Sequence, residues 1–209
     1  MRLSEFIERY PLYKPYVNLL KEFMERSPEE IEVYSFEEGS RLGYEVGEGV
    51  LGFVIPPDKV FFREMPPPLH VFIHELIHLC RKPSSVHEEV YAYNLVNLVI
   101  FCVERGIRCN PFSLYTLKIE DIERVLKRYG IRSIDEYYQV EELLEVYPEI
   151  EIIRIPMIPE EIFRRIRLPE RILVQTFVSE LITGIPRYSE GSVKMKILTD
   201  LINITRGEE

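Results

Sequence analysis

Tryptophan is absent from the 209 residues, glutamine occurs only as Gln139 and Gln175, and there are four histidines and three cysteines. Cys80, Cys102 and Cys109 form no Cys-x-x-Cys pair and are too few to staple a chain of this size, so a disulfide framework is excluded. Their odd number, and an N-terminal decapeptide (Met1 to Tyr10) whose charges interrupt its apolar residues, lead us to expect no signal peptide, a reducing compartment and a cytoplasmic protein. The three thiols are expected to be buried apolar fillers. A long basic stripe is also missing. With 26 Lys plus Arg against 35 Asp plus Glu, a formal charge of −9, nucleic acid is not an expected partner. The longest apolar stretch, Leu95 to Val103, is about half of what a membrane span needs and is broken by Asn97, so no membrane is expected either.

What is present suits a folded domain: 46% hydrophobic and 29% charged residues, enough for a substantial core. Abundant Glu, Arg and Ile beside scarce Gln point to a thermophilic source. Residues 3 to 26 carry apolar residues at helical spacing, broken by Pro11 and Pro15, and predict one or two short helices. Between Ile31 and Phe62 the texture becomes short β-branched and aromatic runs punctuated by glycine. Three or four strands are expected there, at residues 31 to 34, 42 to 46, 50 to 55 and 59 to 62. The Pro66-Pro67-Pro68 run then precedes a helix over about 69 to 82, and Pro83 stops it. A second, strongly apolar helix spans about 86 to 104, with Ser84-Ser85 at its start and Gly106 at its end. Beyond Pro111 helices are predicted over 119 to 129, 133 to 147, 160 to 167, 169 to 183 and 192 to 205, with one strand over 149 to 155. This shift divides the chain into a mixed part, residues 1 to 110, and a mainly helical part, residues 111 to 209.

All four histidines, His70, His74, His78 and His87, fall in one short segment on and just after the helix at 69 to 82. Within it stands His74-Glu75-Leu76-Ile77-His78. On a helix, positions i and i+4 lie about 40° apart and one turn along, so the imidazoles of His74 and His78 can converge on one ion. Glu75 projects beside them, where its carboxylate can deprotonate a water activated by a metal. His70 is about 12 Å along the helix from His78 and cannot share that ion, which leaves it a surface or supporting role.

These residues resemble the HExxH signature of the zincin metallopeptidases, including the apolar residue three before the first His (Val71) and the one after the Glu (Leu76). Cys80, two after the second His, departs from the family pattern. The resemblance covers roughly residues 31 to 104 and implies an α+β fold: a small mixed sheet packed on the HExxH helix and a following ligand helix, with a mainly helical C-terminal part. It implies one zinc ion as cofactor, a peptide or protein substrate, and an extended substrate lying along the edge strand before the active-site helix. By position that strand is either residues 59 to 62 or residues 50 to 55.

A catalytic zinc takes three protein ligands and a water. Metzincin spacing would need a glycine at Arg81 and a histidine at Ser84, so that branch is excluded. The remaining nearby donors are His87, Glu88 and Glu89. In a helix hairpin turning at Pro83-Ser84, His78 and Glu89 sit level, and Ala92 allows close approach. This arrangement is similar to the gluzincins, whose third ligand is a Glu on the helix after HExxH. Ser85-Val86-His87-Glu88 reads as a capping box that would turn Glu88 back to the Ser85 amide, leaving Glu89 as the preferred ligand and Glu88 as the alternative. Tyr91, Tyr93 and Tyr188 are candidates for oxyanion stabilisation. The expected function is therefore zinc-dependent peptide hydrolysis with Glu75 as general base. The alternative is a latent or inactive zincin-like module whose C-terminal helical part docks a regulatory partner or covers the cleft.

Overall fold

The computed structural model describes residues 1–81, 88–143 and 170–208. It divides into two compact units, Met1–Phe112 and Ser113–Glu209. The architecture is mixed α+β.

In the first unit the chain opens with α1 (Leu3–Arg9), a single 3-10 turn (Pro11–Tyr13) and α2 (Lys14–Leu20), the two prolines falling at starts of turns where no amide is needed. Strand β1 (Glu32–Ser35) runs straight into a short helix, α3 (Phe36–Arg41). The strand expected at residues 42 to 46 is absent, those residues forming a turn and irregular chain, and α3 precedes them. Its start is a reciprocal cap: the Glu38 amide donates to the Ser35 hydroxyl at 3.2 Å, and the Glu38 carboxylate accepts from the Ser35 amide at 2.7 Å. Its end at Leu42 leads into Gly43, whose φ of 89° stops any extended run there.

Strands β2 (Gly52–Ile55) and β3 (Lys59–Phe62) complete a three-stranded sheet of order β1-β3-β2, with β1 parallel and β2 antiparallel to β3. The two faces follow from the period of two. On one face Phe61 stacks on Phe53 at 4.5 Å and Tyr34 at 5.1 Å, and Phe53 meets Phe36 of α3 at 5.6 Å. On the other, fully buried Val60 and Phe62 face α4 (Leu69–His78), where Phe62 meets Phe72 at 5.8 Å. Phe72 also stacks on Phe6 at 5.3 Å and packs on Tyr13 at 4.5 Å, which ties α1 and the 3-10 turn to α4. The Tyr13 phenol donates to the Pro67 carbonyl and anchors the proline run from which α4 starts.

Helix α4 ends at His78, four residues before the expected Lys82. Backbone pairing with the segment after α2 outcompetes the helix: the Glu25 amide donates to the Leu79 carbonyl at 3.0 Å and the Arg81 amide to the Phe23 carbonyl at 2.8 Å. Helix α5 (Glu88–Glu104) packs against α4. Near its end the expectation of three free thiols fails. Cys102 and Cys109 form a disulfide with their Cα atoms 6.7 Å apart, because the turn at Gly106 (φ 65°) folds the chain back on the helix. Cys80 lies outside the disulfide, buried, with its thiol donating to the Leu76 carbonyl at 3.3 Å. The disulfide removes unpaired cysteines as an argument for a reducing compartment. No described helix is long and apolar enough to cross a membrane.

The second unit contains α6 (Ile119–Arg128), α7 (Ile134–Leu143), α8 (Glu170–Thr183) and α9 (Val193–Thr205). Ile122, Val125 and Leu126 of α6, Phe177 and Leu181 of α8, and Leu198 and Leu201 of α9 are all fully buried. Ser192 caps α9 by accepting from the Met195 amide at 3.2 Å. The expected helix at 160 to 167, the strand at 149 to 155 and the Ser85–Glu88 capping box lie outside the described residues.

Candidate active site on helix α4

Helix α4 buries Val71, Phe72, Ile73, Leu76 and Ile77 among the sheet, α2 and α5. Glu75 is buried with them at 6% exposure, the one charged side chain buried among the described residues. An acid out of water is costly, so its presence calls for a reason beyond packing. His74 and His78 flank it at half-buried positions, whereas His70 is exposed.

The two imidazoles converge. Their rings are 4.8 Å apart and nearly perpendicular (73°), and Nε2 of His74 lies 3.1 Å from Nε2 of His78. Two nitrogens at that separation can each reach an ion at about 2.0 to 2.1 Å with an angle of about 100° between them, close to tetrahedral. The donor pair thus fits zinc. No group of three His, Cys, Asp or Glu side chains that could hold a metal occurs among the described residues. The preferred third ligand Glu89 and its alternative Glu88 belong to the first turn of α5, but their side chains lie outside the described residues, as does the whole of His87. Ala92, one turn further along α5, is fully buried.

The chain stands apart from known protein families, characterised proteins and solved structures and matches none of them. The site therefore rests on its own residues.

Of the two strands considered as the edge, Lys59–Phe62 is the central one, flanked by β1 and β2, so it offers no free side. The parallel partner β1 has its outer side occupied: the Met1 ammonium donates to the Val33 carbonyl at 2.9 Å and the Leu3 amide to the Ile31 carbonyl at 2.9 Å. Strand β2 remains the open edge among the described residues. The Arg63 amide donates to the Leu51 carbonyl at 2.9 Å, and the register pairs Phe53 with Phe61 and Ile55 with Lys59. In an antiparallel ladder hydrogen-bonded pairs alternate, so the backbone groups of Gly52 and Val54 point outward.

Among the tyrosines considered, Tyr93 lies at the site: it is 67% exposed, and its ring is 4.6 Å from that of His74. Tyr188 belongs to the second unit, where it lies beside Lys194. The side chain of Tyr91 is outside the described residues. One contributor escaped the sequence reading. Gly52 lies against Glu75, and the available signal was a glycine inside a strand, which marks a close approach by another group.

Proposed function

We propose that this chain is a zincin-like metallohydrolase of the gluzincin type that cleaves peptide bonds, with His74, His78 and Glu89 holding one zinc ion and Glu75 acting as general base. The observation that carries this reading is the 3.1 Å convergence of the Nε2 atoms of two half-buried imidazoles on the helix that also buries a carboxylate between them in sequence. Zinc, when bound, polarises the scissile carbonyl and makes water acidic enough to be deprotonated near neutrality.

The chain's own residues do the rest. Glu75 accepts a proton from the attacking water as the C–O bond forms, then delivers it to the amide nitrogen as the C–N bond breaks, so that the acid and amine products balance the peptide and water consumed. The outward N–H and C=O groups of Gly52 and Val54 suit an extended substrate paired along β2, next to Glu75. The choice of Glu89 over Glu88 is supported by helix register. Successive helices joined by a short connection run antiparallel. The ring contact puts Tyr93 beside His74, so a step of one turn forward on α4 to His78 corresponds to one turn back on α5 to position 89.

The test is metal content by elemental mass spectrometry on protein purified without chelator, with His74→Ala in parallel. One zinc per chain, lost in the variant, is expected. Absence of zinc in the wild type, before and after incubation with added zinc, would sink the proposal. Zinc bound without hydrolysis of any peptide library would favour the latent, partner-binding reading instead.

A further inference from the structure

Gly52 has an ordinary strand backbone, since its φ is not among the positive values found at Gly43, Gly49, Gly106, Gly130, Gly191 and Gly207. Conformational freedom therefore does not require glycine there. A glycine inside a strand is also a cost, on the order of 0.5–1 kcal/mol relative to alanine. What excludes a side chain is space. A Cβ built on Gly52 would lie 2.8 Å from Cγ, 2.9 Å from Oε1 and 3.1 Å from Cδ of Glu75, whereas real Cβ atoms essentially never come within 3.0 Å of another heavy atom. The volume next to the Gly52 Cα is thus filled by the carboxylate of the adjacent helix. The neighbours of Glu75 along α4 toward the core, Leu76, Ile73 and Phe72, are fully buried and leave it little room to turn inward.

We infer that Gly52 is a positioning residue: the bare backbone of edge strand β2 is the seat that sets where the Glu75 carboxylate lies, and any side chain at position 52 would displace it. The inference deepens the proposed function and rests on it only for its catalytic consequence, because the steric coupling of positions 52 and 75 stands on geometry alone. It also gives β2 two tasks at one residue. Gly52 turns its backbone groups outward along the edge and its empty Cβ position toward the acid.

Two measurements test it. The first needs no activity: a thermal-unfolding cycle of Gly52→Ala, Glu75→Ala and the double variant. With Glu75 shortened, the new methyl has room, and Gly52→Ala should raise Tm by about 3 °C through the entropy of the unfolded chain. With Glu75 present, the same change should leave Tm unmoved or lower it. Equal shifts in the two backgrounds would overturn the inference. The second is kinetic. Gly52→Ala should lower kcat by on the order of 10²-fold, as expected for a misplaced base, with KM and zinc content unchanged. Wild-type kcat in that variant would also overturn the inference. A wild type that holds no zinc and hydrolyses nothing would defeat the proposed function, and the unfolding cycle would still decide the role of Gly52.

Discussion

Glu75 in the first unit is buried and Glu180 in the second half-buried, and the surroundings of these two acids differ in kind. Glu180 is met by groups of its own unit: the Tyr137 phenol donates to it at 3.3 Å, and the Lys194 ammonium lies 3.6 Å away. That ammonium also sits over the rings of Tyr137 at 5.6 Å and Tyr188 at 5.9 Å. Burial pushes the Glu180 carboxyl up to about 7, and it also raises the phenols of Tyr137, Tyr138 and Tyr188. Lys194 is shifted the other way, down, for the same reason. Such a cluster ties α7, α8 and α9 together. Glu75 instead has an empty Cβ position on one side and, on its own helix, two half-buried imidazoles whose Nε2 atoms converge. An acid surrounded by its own unit's donors is scaffold. An acid kept beside two converging imidazoles is arranged for a ligand those nitrogens can share.

The contrast can be broken most directly by exchanging each acid for its amide. Glu75→Gln should lower peptide turnover by about 10²- to 10⁴-fold while the variant still folds and keeps its zinc, whereas Glu180→Gln should leave turnover unchanged. Turnover that survives the first substitution, measured on a peptide library, would remove the role given to Glu75. Of intermediate size is the support beneath the first acid. Phe72 lies on the same helix and packs on Phe6, Tyr13 and Phe62, so Phe72→Ala should cost about 3–5 kcal/mol in denaturant unfolding. A loss below about 1 kcal/mol would mean that α4 is not anchored through that cluster.

The smallest effect belongs to the second acid and depends on pH. Its carboxyl is neutral in the folded protein up to about pH 7 but ionises near its ordinary value of 4.5 once unfolded, so the folded state binds the extra proton between those limits. Stability from this group is complete below pH 4.5 and is lost as pH rises toward 7, by on the order of 3 kcal/mol at most. Unfolding curves of the wild type and of Glu180→Gln across that window should diverge by this amount. Parallel curves would show that Lys194 and the phenols already hold the carboxyl in its ionised form.

The site helix was legible because its information is local. The His74-Glu75-x-x-His78 spacing, the proline run before it and the apolar residues between the histidines all act within two or three turns. Helices α5, α6, α8 and α9 were legible for the same reason, through periodicity and through glycine or serine at their ends. Helix α3 was missed although Ser35-x-x-Glu38 carried its cap, because the aromatic and β-branched residues around it outweighed a six-residue helix. The end of α4 was overestimated because the backbone that competes for Leu79 and Arg81 comes from residues 23 to 25, far away in the chain. The disulfide was missed for a different reason: Cys102 and Cys109 are seven positions apart with no Cys-x-x-Cys spacing to mark them, and only the turn at Gly106 brings them together.

By itself, the sequence determined the mixed α+β class, the helix that carries His74, Glu75 and His78, and the spacing that lets two imidazoles share one face. These follow from residue chemistry at helical and strand periods, which every segment carries with it. The tertiary structure alone decided that β3 is central and β2 the open edge, that Tyr93 stands beside His74, and that Gly52 leaves the space Glu75 occupies. Each of these is a meeting of segments distant in the chain, and no local pattern encodes which strand another strand will cover or which Cα a carboxylate will rest against.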